Sequence, residues 1–106
     1  MSTDEAPVPA LLPPELKNFS DRAGRLKQFP RRQKLQVLAL AYLATRFEPG
    51  VRYREKDVNR LLVDWHTFRD WSMLRRYLVD FAYLEREADG SAYWLAEPQP
   101  AHLANQ

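Results

Sequence analysis

Two adjacent arginines, Arg75 and Arg76, are the residues of this chain best suited to chemistry with another molecule. A guanidinium carries a fixed charge and a fork of donors that fits phosphate oxygens and the acceptor edge of guanine. On a helix, Arg76 would face base edges and Arg75 a phosphate, with Ser72 on the same outward side. A surface ion pair competes with that use, because Asp80 follows Arg76 by four residues. Two more cationic groups stand upstream: Arg31, Arg32 and Lys34, then Arg52, Arg54 and Lys56. Cations at a helix start oppose the macrodipole, so their presence there suggests a use on phosphates or simple tolerance in salt water.

Other chemistries find little support. His66 and Asp70 have the spacing of an acid–base pair, but no nucleophile or second base accompanies them, and a turn histidine with a helix-capping aspartate is the simpler reading. Trp65 and Trp71 fall on inward faces, whereas Trp94 is the better candidate for a partner contact. No glycine-rich phosphate loop and no paired carboxylates occur. Absence of cysteine excludes disulfides and thiolate sites and fits a cytoplasmic protein. With only two histidines a metal centre is not expected, nor is a cofactor or an enzymatic activity.

The overall charge of +2 hides a gradient. Arg22 to Arg60 holds eleven basic and three acidic residues, a net of +8, whereas Leu61 to Ala96 carries four basic and six acidic, a net of −2. A segregated positive field favours a polyanionic partner. The longest apolar run, Val37 to Ala44, has eight residues against the roughly 20 that span a bilayer, so no membrane role is expected. The N-terminal residues do not have the pattern of a signal peptide.

Positioning these groups requires a fold of about 80 residues, 15–95, between proline-rich tails at 1–14 and 96–106 that are expected to be disordered. Ser20 to Gly24 reads as a turn, followed by a short strand over 25–28. The first helix is predicted from Pro30 to Phe47, with Pro30 in the first helical position. Leu35, Leu38, Ala39, Tyr42 and Leu43 form one apolar face, and Val37, Leu40, Ala41 and Ala44 a second. That second face must meet residues 16–29 or another subunit, and so offers a homodimer seam. Val51 to Tyr53 is extended. A second helix covers 55–65, and a third runs from Trp71 to Phe81 with Asp70 as its cap and Trp71, Leu74, Leu78 and Phe81 inward. A hairpin over 83–95 closes on Asp89-Gly90, a pair suited to a type I′ turn, with Leu84 facing Leu95, Glu85 facing Trp94 and Arg86 facing Tyr93. The hairpin tip is acidic, and so is not expected to touch DNA.

Several of these segments resemble one family. Gly24-Arg25-Leu26-Lys27, Tyr53-x-Glu55 with Val58-Asn59, His66-x-x-x-Asp70, Leu74-Arg75-Arg76-x-Leu78-Val79-Asp80, and Leu84-x-Arg86 with Gly90-x-x-Tyr93-Trp94 are similar to the bacterial family known as domain of unknown function 2087. The resemblance implies a winged-helix-like fold and the company of transcription regulators. It also implies a hydroxyl cap before the second helix, where this chain has Arg54, so a frayed or displaced helix start is expected. The order of elements gives the same fold: mainly α with a small β-hairpin, a winged helix-turn-helix. Double-stranded DNA is then the expected partner, with helix 71–81 as the reader. The alternative is a protein-interaction or dimerisation module on the same scaffold.

Overall fold

The computed structural model describes residues 12–100. In chain order these form a 3₁₀ helix (Pro14–Phe19), α1 (Gln33–Ala44), α2 (Glu55–Asp64), α3 (Trp71–Asp80) and an antiparallel hairpin of β1 (Leu84–Arg86) and β2 (Tyr93–Leu95). The chain is therefore α+β, mostly helical with one hairpin. The expectations for 1–11 and 101–106 lie outside the described residues. Ordered packing reaches past 15–95 at both ends, since Leu12 packs on the core and Ala96 is buried.

α1 is shorter than its apolar pattern. Pro30 is buried in extended chain instead of opening the helix, and Gln36 donates back to the Pro30 and Arg31 carbonyls at 2.9 and 3.4 Å. Pro30 is fully buried and Phe29 partly so, the chain bends at Arg31 and Arg32, and the helix starts only at Gln33. At the other end Arg46 and Phe47 continue as i→i+3 turns. Both apolar faces are used within the chain. Leu38, Ala39, Leu40, Tyr42, Leu43 and Ala44 are all buried, against the 3₁₀ helix on one side and α3 on the other. The Tyr42 hydroxyl donates to the Gly24 carbonyl at 2.8 Å, and burial raises its pKa. Of the residues expected at a homodimer seam on helix 30–47, Leu40 and Ala44 are covered and Val37 and Ala41 half-covered by the chain itself.

The strand expected over 25–28 reduces to Leu26. It bridges Ser20 on one side and His66 on the other, and the chain bends directly after it. The preceding turn is as expected: the Asp21 carboxylate accepts from the Ala23 and Arg25 amides, and Gly24 has φ +85°.

α2 starts cleanly at Glu55 despite Arg54. Among the described residues no side chain accepts from the first-turn amides; instead the Asp57 carboxylate reaches back toward the Arg54 amide at 3.4 Å and holds its guanidinium at 3.2 Å, the return half of a capping box. α3 is capped by Asp70, which accepts from the Met73 amide at 3.3 Å. Leu74 and Leu78 are buried as expected, but Trp71 is 39% exposed and Phe81 only half-buried. The connecting turn supplies aromatic bulk instead: His66 is buried and Phe68 packs edge-on to its ring at 4.6 Å.

The hairpin register is the expected one. Its turn is not type I′, because Gly90 alone has positive φ while Asp89 does not. The Gly90 amide bonds the Glu87 carbonyl, and the Asp89 carboxylate accepts from the Ser91 amide. Tyr53 adds a third edge by exchanging two 2.7 Å backbone bonds with Tyr93.

Candidate nucleic-acid interface

α3 is held from behind and open in front. Leu74 and Leu78 anchor it in the core, whereas Ser72, Arg76 and Asp80 face solvent. Arg76 is 77% exposed, with Asp80 a loose neighbour at 3.9 Å. Arg75 turns the other way. It donates to the Asn59 side chain, stands 3.6 Å from Glu55, and is only 19% exposed. The arginine expected on a phosphate is thus a brace between α3 and α2. The turn feeding α3 is fixed by His66, whose Nδ1 lies 2.6 Å from the Leu62 carbonyl and whose Nε2 accepts from the Asp70 amide at 2.9 Å.

A groove of about 490 Å³ runs between α3, the start of α2 and the hairpin. Arg75, Arg76 and Arg86 line it, and so do Glu55, Asp80 and Asp89. Arg86 is the residue that sequence reading passed over. Its Nη1 donates to the Glu87 and Ala88 carbonyls at 3.2 and 3.3 Å, which fixes the guanidinium over the tip. The register held the clue: Arg86 shares a ribbon face with Leu84 and Leu95, and that face packs on the body. The Asp89 carboxyl lies below the usual carboxylate range because it accepts hydrogen bonds from Ser91, with a smaller contribution from Arg86.

The other cations do not gather at this groove as one set. Arg52 lies on the opposite ribbon face, 4.5 Å over the Trp94 ring and 2.6 Å from the Glu87 carboxylate, while the Trp94 indole donates to Glu85 at 2.9 Å. Arg54 is held by Asp57, whose carboxyl that guanidinium keeps below its ordinary range. Lys56 is exposed on the first turn of α2. Arg31, Arg32 and Lys34 are exposed where the chain enters α1. That entry runs beside α3, since Phe29 packs on Tyr77 with ring centroids 5.5 Å apart. Among the described residues no three His, Asp or Glu side chains come together as a metal site requires, and no helix is long and apolar enough to cross a membrane.

Residues 25–95 match the model of a family described as "Uncharacterized protein conserved in bacteria (DUF2087)". The chain belongs to this family. The match takes in α1, α2, α3 and the hairpin, so in this DUF2087 chain the groove and all its lining residues lie inside the family region. No curated protein and no solved structure matches this DUF2087 chain.

Proposed function

We propose that this domain is a winged helix-turn-helix that binds double-stranded DNA through α3, as a cytoplasmic transcriptional regulator does. The observation that carries the reading is the exposure of Ser72 in the first turn and Arg76 midway along a helix whose opposite face is locked into the core. α2 packs on it, and the pairing of Tyr53 with the hairpin that follows α3 supports a winged-helix reading. Arg76 is the base-facing residue in this reading, and Lys56, Arg31, Arg32 and Lys34 supply phosphate contacts. Arg75 positions the helix, and Arg52 takes no part.

The reading is of a binding module; His66, with both ring nitrogens engaged by backbone groups, supports it as a structural residue. Fluorescence anisotropy against a mixed-sequence duplex tests it. The expected result is micromolar binding that weakens with salt, at a slope of about −3 to −5 for a handful of phosphate contacts, and that Arg76→Ala diminishes. Absence of any salt-sensitive binding at micromolar protein overturns the proposal.

One observation favours a second reading, a protein-interaction module. Val63 and Trp71, the exposed large apolar side chains of the described fold, line one shallow groove at the α2–α3 corner with Arg69. Loss of a protein partner in Trp71→Ala, with duplex binding absent from the start, would support it.

A further inference from the structure

We infer that Asp80 and Asp89 restrain the groove between α3 and the hairpin from indiscriminate duplex binding, and that Arg76 and Arg86 are the pair they restrain. The inference rests on the DNA-binding reading above. Of the three arginines in the groove, Arg75 is taken up by Asn59 and Glu55. Arg76 and Arg86 remain, facing Asp80 and Asp89 across the same space. Neither cation is neutralised by a tight ion pair. Arg76 stands 3.9 Å from an Asp80 that is itself 56% exposed, and Arg86 spends Nη1 on two backbone carbonyls.

A phosphate entering this groove meets three guanidinium groups and three carboxylates, of which Arg75 and Glu55 already stand together. Their contributions to its potential nearly cancel within a Debye length. A base edge is treated differently. The cytosine amino group donates to a carboxylate while guanine N7 and O6 accept from a guanidinium, so a base-pair edge can use both signs. The acids thereby take away the sequence-independent part of the affinity and leave the part that depends on base edges. This also explains how a hairpin with an acidic tip can border a reading helix: the Arg86 guanidinium lies over that tip, and the acid beside it acts as a filter.

The test compares the full chain with Asp80→Asn, Asp89→Asn and the double variant on one mixed-sequence duplex at low salt. Asparagine keeps the acceptor that Ser91 uses at position 89 and removes only charge. Each single change is expected to tighten binding by about two- to fivefold and the double change by more, in line with one unit charge removed a few ångströms from a phosphate in water. Arg86→Ala is expected to weaken it. Unchanged affinity in the Asn variants, with Arg76→Ala still weakening binding, overturns the inference and leaves the DNA reading standing. No salt-sensitive binding by the wild type at micromolar protein overturns both.

Discussion

At His66 the neighbours dictate the proton. A carbonyl can only accept and a backbone amide can only donate, so the bonds to Leu62 and Asp70 require a neutral ring with the hydrogen on Nδ1. Long-range ¹⁵N spectra should show that tautomer at neutral pH. His66→Ala removes both bonds from a buried site and leaves a cavity, and should cost about 2–4 kcal/mol in urea unfolding. Asp21 is a second residue whose role is set by its neighbours. Burial pushes its carboxyl up, but the Arg25 amide and guanidinium and the Ala23 amide together hold it below the ordinary value. A lowered folded-state pKa stabilises the fold above the unfolded value near pH 4, and the contribution is lost as pH falls through the folded one. Asp21→Asn should therefore flatten the decline in stability below about pH 4, as read from urea midpoints across pH.

The ends of α3 show how an element can depend on one atom or one dihedral angle. Its start relies on the Asp70 carboxylate, and Asp70→Ala should cost about 1 kcal/mol. Its end is a Schellman motif: the Tyr83 amide bonds the Leu78 carbonyl at 2.8 Å and the Ala82 amide bonds Val79 at 3.0 Å. Position 82 then needs a left-handed backbone, and alanine takes it at φ +69°. Glycine has no Cβ to strain there. Ala82→Gly should raise stability by about 0.5–1 kcal/mol, the left-handed penalty less the extra entropy of an unfolded glycine. Unchanged or lower stability would show that α3 does not end this way. α2 lacks a side-chain cap on its first-turn amides, and Asp57 supplies only the return half of a capping box, accepting from the Arg54 amide.

Across the whole molecule, the cations of the +8 stretch do not all converge on the groove beside α3. The hairpin has two faces, and Arg52 stands on the one turned away from Arg76 and Arg86. The same three-dimensional logic covers Leu40 and Ala44 of the expected dimer seam within one chain and leaves Val37 and Ala41 half-covered. Leu40 is fully buried within a single chain, so Leu40→Ala should cost about 2–5 kcal/mol. The loss should be the same at every protein concentration, because no subunit interface is being opened; calorimetry over a tenfold concentration range checks this.

Local rules were enough to order the three helices and the hairpin, to set the strand register and to place the cap at Asp70. Each follows from side-chain period, turn chemistry or a neighbour within four residues. The same rules exposed Arg76 and Ser72 correctly, because Leu74 and Leu78 leave them no other direction. They could not say that Arg75 would spend its charge on Asn59, sixteen residues away, or that Pro30 would be buried ahead of α1. They also could not seat Arg86 opposite Arg76, or turn Trp71 outward in favour of His66 and Phe68. Those outcomes depend on which surfaces compete for the same volume and which charges meet across it, and a linear pattern carries neither.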